Sequence, residues 1–282
     1  VRDEIMQDAE EFGDARRSAL VEREAAKAID VTQLLPTEPI TVILSEKGWV
    51  RAAKGHEVDP RTLDYKSGDR FLQAARGKSN QLAIFIDSTG RTYSLPAHKL
   101  PSARGHGEPL AGSFNPPPGA TWAGVIMGSP EDLYLLASDA GYGFVAKLED
   151  LIANKKAGKG VLKVPKGAKA LPPQHVQAMQ EDWIAAVTTQ GHMLAFMVGE
   201  LPQMPKGKGI KIINVPSGKV ASREEYVAGV AVYREGQKLV LQTGKGELSL
   251  SAKDIERYVG ERALRGVKLP KQHQDVKAID AV

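Results

Sequence analysis

A unit of about 50 residues recurs between Pro39 and Val282 and constrains this chain more than any other feature. Each unit begins with a short apolar run, a few polar residues, a glycine and a second strand-like run. This order is typical of a β-hairpin whose glycine adopts a backbone conformation that other residues resist. Successive glycines lie 42, 51, 50 and 55 residues apart. They are Gly48, Gly90, Gly141, Gly191 and Gly246.

Five such units indicate a radially repeated β architecture. We therefore predict an all-β, five-bladed propeller-like domain with about 50 residues and four strands per blade. A solenoid would need a shorter and more regular period, and two sandwiches would not give five repeats. The runs before the glycines are 41–44, 82–86, 133–136, 184–187 and 239–241, and those after them are 49–51, 91–93, 142–144, 192–194 and 247–249.

A glycine-rich, mostly basic turn follows each predicted hairpin. Glycine lets backbone N–H groups approach a phosphate closely, and lysine and arginine attract phosphate whatever the base sequence. Five such turns at equivalent places predict a DNA-binding rim that DNA could follow only by bending. The alternative is that they are ordinary exposed loops. The turns are Lys66–Arg70, Arg104–Gly107, Lys155–Gly160, Lys206–Gly209 and Arg262–Gly266.

The candidate DNA-binding residues are the cations of these turns and of the neighbouring strand ends. In the fourth turn, we expect Ile210 and Ile212 to face the core and Lys211 to face outward. The spacing of 206–209 does not fit the nucleotide-binding pattern G-x-x-x-x-G-K-[ST]. The full set is Arg51, Lys54, Lys66, Arg70, Arg76, Lys78, Arg91, Arg104, Lys155, Lys156, Lys159, Lys206, Lys208, Lys211, Arg262, Arg265 and Lys268.

Charge divides the chain into two parts. Residues 1–38 contain five basic and ten acidic residues, and residues 39–282 contain 33 basic and 24 acidic ones. The larger part is basic enough to suggest a polyanionic partner, although a mildly basic solvated surface is the alternative. Residues 1–38 have helical spacing, including a second helical stretch at 18–29, and end at Pro36 and Pro39. We predict a helical segment at 1–38 and a β domain at 39–282.

Intrinsic catalysis is not predicted. The chain has no cysteine, which excludes a thiolate metal site, a disulfide and a cysteine nucleophile. Its six histidines are scattered, and neither H-E-x-x-H nor G-x-S-x-G occurs. We expect no catalytic residue and no metal site in this chain. No apolar run is long enough for a transmembrane helix, and no signal peptide is evident, which favours a soluble intracellular protein.

Several longer motifs resemble one family, that of the C-terminal domain of ParC, the A subunit of bacterial DNA topoisomerase IV, which is related to the gyrase A C-terminal domain. Residues 12–17 resemble the end of the breakage-reunion region of ParC. The motifs are KGWVRAAKGH at 47–56, GKSNQ at 77–81, DSTGR at 87–91, LPSARG at 100–105, ASDAGYGF at 137–144 and KGKGIKIIN at 206–214.

The resemblance implies a β-pinwheel, in which neighbouring blades exchange strands. It implies sequence-independent binding and bending of the DNA segment that an ATP-dependent type II topoisomerase transports during decatenation and relaxation. The implied partners are double-stranded DNA, the rest of the dimeric ParC protein and the B-type ATPase partner of topoisomerase IV. ATP and magnesium are implied for the holoenzyme and no cofactor for this chain. The implied location is cytoplasmic and nucleoid-associated, with peripheral membrane association of the holoenzyme allowed.

One departure separates this chain from gyrase. The gyrase domain carries a basic, glycine-rich box in its first blade, whereas residues 62–69 read TLDYKSGD. Because Asp64 and Asp69 would repel phosphate, tight wrapping by the first blade is not expected. A propeller-type protein-interaction scaffold without DNA binding is the alternative function, although aromatic residues are only 6% of the chain.

Overall fold

The computed structural model describes residues 1–14 and 37–282, which belong to two compact units, Val1–Leu34 and Leu35–Val282. In the first unit, helix α1 spans Arg2–Phe12 and has Asp3 and Glu4 in its first turn, where the helix dipole favours acidic side chains. The predicted helix at 18–29 lies outside the described residues. The boundary at residue 38, and the assignment of 1–38 to a breakage-reunion region, remain predictions.

Five β-hairpins build the second unit, as the repeat predicts. In the first four, the turn glycine has φ between +76° and +82°, which favours glycine. The fifth differs, because its loop is Gly244-Lys245 and Gly246 begins the second strand. The hairpins are β1 (Pro39–Ser45) with β2 (Trp49–Lys54), β4 (Leu82–Asp87) with β5 (Arg91–Pro96), β8 (Leu133–Ser138) with β9 (Tyr142–Lys147), β12 (Trp183–Thr188) with β13 (His192–Met197), and β16 (Leu239–Thr243) with β17 (Gly246–Leu250).

An inner strand joins the first strand of each hairpin in antiparallel pairing. Residues of all five inner strands line one central cavity of about 1010 Å³, so the five sheets surround a common axis. The inner strands are β3 (Phe71–Lys78), β7 (Trp122–Ile126), β11 (Gln174–Val176), β15 (Val227–Tyr233) and β19 (Val276–Ala281).

The outer strands are exchanged between neighbouring sheets. Each lies after the hairpin of one unit but pairs with the second strand of the preceding hairpin. The expectation that each unit forms its own blade is therefore corrected, and the pinwheel arrangement is confirmed. The fifth sheet has three strands, in the order β17-β16-β19. The outer strands are β6 (Glu108–Pro109) on β2, β10 (Lys159–Gly160) on β5, β14 (Ile210–Lys211) on β9 and β18 (Val267–Lys268) on β13.

Four hydrophobic cores lie between consecutive sheets, from the first to the fifth. Within the described chain no such core joins the fifth sheet to the first. The fifth sheet presents the exposed residues Gln242 and Glu247 on its outer face. On the first sheet, Tyr65 packs over the guanidinium of Arg51. The ring of sheets therefore has a polar seam.

Two short helices connect strands near this perimeter. Helix α2 spans Ser217–Ala221 and precedes β15, and helix α3 spans Ala252–Glu256 and follows β17. Ser251 caps α3 by accepting from Asp254 N–H, while the Asp254 carboxylate accepts from Ser251 N–H. This reciprocal pair is a capping box that fixes where α3 begins.

Candidate nucleic-acid interface

The four exchanged strands share one local structure. Each begins with a left-handed glycine and ends, three residues later, with a buried apolar residue whose N–H donates to the carbonyl of the preceding hairpin glycine. We call these segments the crossing turns and number them in chain order. The glycine and apolar pairs are Gly107 and Leu110, Gly158 and Val161, Gly209 and Ile212, and Gly266 and Leu269, and the hydrogen bonds to Gly48, Gly90, Gly141 and Gly191 measure 2.9, 3.0, 2.7 and 2.8 Å.

Glycine is required because the crossing turn presses against the backbone of the sheet that it completes. At Gly209, where φ is +73°, a Cβ atom would lie 2.1 Å from the carbonyl oxygen of Gly143. Gly266 would meet the Met193 carbonyl oxygen in the same way, at 2.3 Å. The glycines in these turns are therefore structural, whatever else approaches them.

Consecutive crossing turns are joined by backbone hydrogen bonds. Each turn bonds to the segment that comes just after the preceding one, so the second, third and fourth turns form a continuous chain along the perimeter of the ring. The bonds run from Asn115 N–H to Lys156 O (2.9 Å), Gly207 N–H to Val161 O (2.9 Å), Lys163 N–H to Gly207 O (2.8 Å), Ala263 N–H to Ile212 O (3.0 Å) and Asn214 N–H to Leu264 O (2.9 Å).

The turn at Lys66–Arg70 is not equivalent to these four. It closes with a bond from Asp69 N–H to Lys66 O and leads directly into inner strand β3. The same bond closes turns at 117–120, 165–168 and 220–223, which precede other inner strands. The expectation of five equivalent basic turns is therefore corrected to four. The first unit lacks a crossing turn because only three residues separate Gly68 from β3.

Arg51 lies beneath the perimeter and not on it. Its side chain is buried, and Nη1 and Nη2 each donate at 2.8 Å, to Gly105 O and Asp64 O. The guanidinium also lies 4.8 Å from the ring centre of Tyr65. Arg51 thus links the first crossing turn to the loop before β3, and both faces of its fork are occupied.

Exposed cations mark each crossing turn. Among the described residues, no carboxylate lies within 4 Å of Arg104, Lys155, Lys156, Lys206 or Lys208. Lys159 and Lys268 are also exposed, and Lys159 Nζ donates to Asp150 O at 2.6 Å. Charges without acidic neighbours attract a polyanion most strongly.

Tyr142 brings two of these lysines together. It lies at the start of β9, and Nζ of Lys208 stands 3.7 Å above its ring centre, with Nζ of Lys211 at 5.6 Å. Lys211 is half-buried and donates to Asn214 Oδ1 at 3.0 Å. Ile212 is buried as expected, whereas Ile210 is only half-buried, since it belongs to the edge strand.

Three predicted arginines hold crossing turns in place. Arg91 donates from Nη1 to Ala157 O at 3.1 Å, and Arg262 donates from Nη1 to Lys211 O at 2.8 Å. Arg265 donates from Nη1 to Asn214 O at 3.2 Å and from Nη2 to Glu225 Oε2 at 2.6 Å. These side chains are half-buried, and they position the exposed lysines beside them.

Glu225 is the electrostatic centre of the fourth crossing turn. Its carboxylate is buried and meets Arg265, Lys219 Nζ at 3.6 Å and the Thr188 hydroxyl at 3.0 Å. Burial alone would raise the pKa of Glu225, but the hydrogen bonds from Arg265 and Thr188 outweigh it and hold that pKa below its usual value. His192 Nδ1 lies 3.3 Å from Glu225 Oε1, outside hydrogen-bond geometry. Burial and the charge of Arg265 lower the pKa of His192.

Five predicted cations lie apart from the crossing turns. Arg76 and Lys78 are on inner strand β3 and line the central cavity, and Lys54, at the far end of β2, pairs with Glu38 at 3.3 Å. Lys66 stands 3.4 Å above the ring centre of Trp49, and Arg70 pairs with Glu46 at 2.8 Å. The structure does not bring these residues into the row formed by the second to fourth turns.

Sequence reasoning did not identify Lys163 and Tyr142 as part of the perimeter. Lys163 is exposed and its N–H bonds to the third crossing turn. A signal for it was present, because LKVPKG at 162–167 repeats as INVPSG at 213–218. Tyr142 occupies the position of Trp49, directly after a hairpin glycine, where a side chain stands beside the outer strand.

No group of three or more His, Asp or Glu residues that could hold a metal ion occurs within 1–14 and 37–282. No helix in the described parts of the chain is long and apolar enough to cross a membrane.

The exchanged strands and the basic perimeter define a class of protein, the propeller-like β-pinwheel domain. The E. coli ParC C-terminal domain matches this structure with a TM-score of 0.75 and 43% identity, over 87% of this chain and 99% of that one. The chain belongs to the family of ParC C-terminal domains, which form the C-terminal part of the A-type protein of DNA topoisomerase IV.

The A-type protein of DNA topoisomerase 4 from Pseudomonas aeruginosa is 56% identical over 279 residues, which cover 99% of this chain and 37% of that protein. The chain therefore spans just over a third of the curated relatives that it matches. The gyrase A C-terminal domain shares the fold, with a TM-score of 0.63 at 16% identity over 87% of this chain and 82% of that one. No family model matches the chain.

Proposed function

We propose that the domain binds double-stranded DNA along the crossing turns, without sequence preference, and bends it. The row of backbone-linked turns carrying exposed lysines is the observation that supports this function. Lysine charges and backbone N–H groups contact phosphates, and none of the crossing turns offers a groove-reading helix. Because the turns follow the curved edge of a ring, a duplex that touches several of them must bend.

This function places the chain in a larger enzyme. The family relation supports a role in a type II topoisomerase that separates linked DNA and relaxes supercoils, to which the domain presents the transported segment. The remainder of the ParC protein, its B-type ATPase partner, ATP and magnesium complete that enzyme. Alone, the chain binds DNA but neither cleaves nor relaxes it. In α1, Ile5, Met6 and Phe12 are exposed, and we propose that they pack on the preceding part of the ParC protein.

The decisive experiment compares two triple variants that remove equal charge. The perimeter variant replaces Lys206, Lys208 and Lys211 with alanine. The control variant replaces Lys54, Arg76 and Lys78, which lie at the end of β2 and on the inner strand. Binding of a 30-base-pair duplex is titrated at several salt concentrations, and melting temperatures confirm that both variants fold.

The perimeter variant should flatten the slope of log K against log salt by up to about 2.7, from about 0.9 for each phosphate contact. The control variant should keep the original slope, and affinity should fall alike for unrelated sequences. Equal slopes for both variants would refute the perimeter assignment. No binding by the unaltered chain would favour the protein-interaction scaffold.

Bending is tested separately by energy transfer between dyes at the two ends of the duplex. Saturation with the chain should shorten the end-to-end distance. Tight binding to a duplex that stays straight would keep the binding site and exclude the bend.

A further inference from the structure

The fifth sheet exposes the edge that every other sheet uses to receive a crossing turn. Gln242 and Glu247 pair as Val187 and Met193 do in the fourth sheet, and Val240 and Ser249 pair as Ala185 and Ala195 do. Met193 is paired with outer strand β18, and both backbone groups of Ala195 bond to residues 258–260. The corresponding backbone groups of Glu247 and Ser249 therefore face outward.

The side chains along this edge differ from those of the four occupied edges. Val50, Thr92, Gly143 and Met193 are buried where the crossing turn covers them, whereas Glu247 and Ser249 are exposed. Glu247 is also the only acidic residue among the five residues at this position, at which the partner strand places Glu108, Lys159, Ile210 or Val267 directly opposite. An opposite charge across an antiparallel pair is stabilising.

The occupied edges show what such a strand must contain. A left-handed glycine lies against the carbonyl of the receiving strand, where a Cβ atom would come within 2.1 to 2.8 Å of the oxygen. The next residue pairs with the receiving strand, and the third residue after the glycine is buried and apolar. Opposite Glu247, a lysine is the complementary choice for the paired residue, as in Gly158-Lys159-Gly160-Val161.

We propose that the open edge of β17 binds an extended, basic segment of another polypeptide with the pattern glycine, lysine, any residue, apolar residue. The segment would add a fourth strand to the fifth sheet by donating to and accepting from the backbone of Glu247 and Ser249. This mode of recognition is β-strand addition, in which backbone hydrogen bonds supply affinity and alternate side chains supply specificity. The site is separate from the basic perimeter and does not depend on DNA binding.

The probe is a fluorescent peptide with the sequence of residues 154–164, and its control is the same peptide with Gly158→Val. Both peptides carry the same charge, so a difference between them reports the left-handed glycine. On the protein side, Glu247→Lys is compared with Glu235→Lys, an exposed residue in the turn between β15 and β16. Fluorescence anisotropy measures affinity, and hydrogen exchange locates the amides that the peptide protects.

The native peptide should bind saturably and slow exchange at the amides of Glu247 and Ser249. The Gly158→Val peptide should bind at least about tenfold more weakly, because its side chain would strike the strand. Glu247→Lys should weaken binding by about fivefold or more, since it replaces a cross-strand attraction with a repulsion, and Glu235→Lys should not. Equal binding of the two peptides, or protection elsewhere, would overturn the proposal. Self-association of the chain that protects the same two amides would overturn it too and assign the edge to a second copy.

Discussion

Gly158 and Gly160 lie two residues apart in the second crossing turn, and alanine should affect them very differently. Gly158 has φ of +72°, and a Cβ there would lie 2.6 Å from Cε1 of the buried Tyr93 and 2.8 Å from Thr92 O. The left-handed conformation costs a non-glycine residue about 1–2 kcal/mol. The forced shift of a packed neighbour adds about 1–3 kcal/mol. We therefore expect Gly158→Ala to lower the free energy of unfolding by about 2–5 kcal/mol.

Gly160→Ala provides the matched control. Nothing lies within 4 Å of the position where its Cβ would be, and its φ is not in the left-handed region. Removing a glycine from such a site restricts the unfolded chain, so the variant should be neutral or more stable by about 0.4–1 kcal/mol. The two variants have the same charge and differ only in which glycine has lost its freedom.

Thermal and denaturant unfolding of both variants would measure the difference. For a unit of this size, about 2–4 °C in melting temperature corresponds to 1 kcal/mol, so Gly158→Ala should melt about 4–20 °C lower. If the turn instead opens locally, the amides of Val161 and Leu162, which both donate to Gly90 O at 3.0 Å, should exchange faster. Two variants with equal stability and equal exchange at these amides would refute the packing argument.

The remaining predictions concern the groups that anchor the perimeter. Arg51→Met should destabilise the domain by about 2–5 kcal/mol, because it leaves two carbonyls without a charged donor, whereas Lys54→Met should change stability by less than about 0.5 kcal/mol; equal melting temperatures would contradict the buried role of Arg51. Since the pKa of His192 is lowered in the folded state, the unfolded chain takes up the proton first as pH falls through about 6.5, and stability should decrease there. His192→Gln should remove that part of the pH dependence, and an unchanged profile measured by denaturant unfolding would show that another group is responsible.

The hairpins could be predicted from the sequence because their signals are local. An apolar run, a polar turn and a left-handed glycine lie within about ten residues, and the structure places strands at every predicted run. The exchanged strands are different. Lys159–Gly160 is two residues long and has no periodicity, and its partner Arg91 lies far back in the chain. The sequence alone indicates the number of strands per sheet, but which unit supplies the fourth strand depends on contacts between units.

The candidate site was predicted only in part, for two physical reasons. Lysine and glycine occur both in the crossing turns and in turns such as Lys66–Arg70 that enter inner strands, so composition does not separate the two kinds. Burial of Arg51 depends on Gly105, which is 54 residues away. Exposed lysines such as Lys206 were identified correctly as exposed because nothing in the fold requires their charge.

Strand exchange has a consequence for synthesis on the ribosome. The outer strand of each sheet is made about 50 residues after the sheet's own hairpin, so every newly emerged sheet waits with an unsatisfied edge until the next hairpin has left the exit tunnel. Assembly therefore proceeds from the first sheet to the fifth, with one incomplete sheet travelling along the chain. The final residues, Val276–Ala281, close the last sheet by pairing with β16. A truncation before residue 276 would leave that sheet as a two-stranded hairpin, which is marginally stable at best.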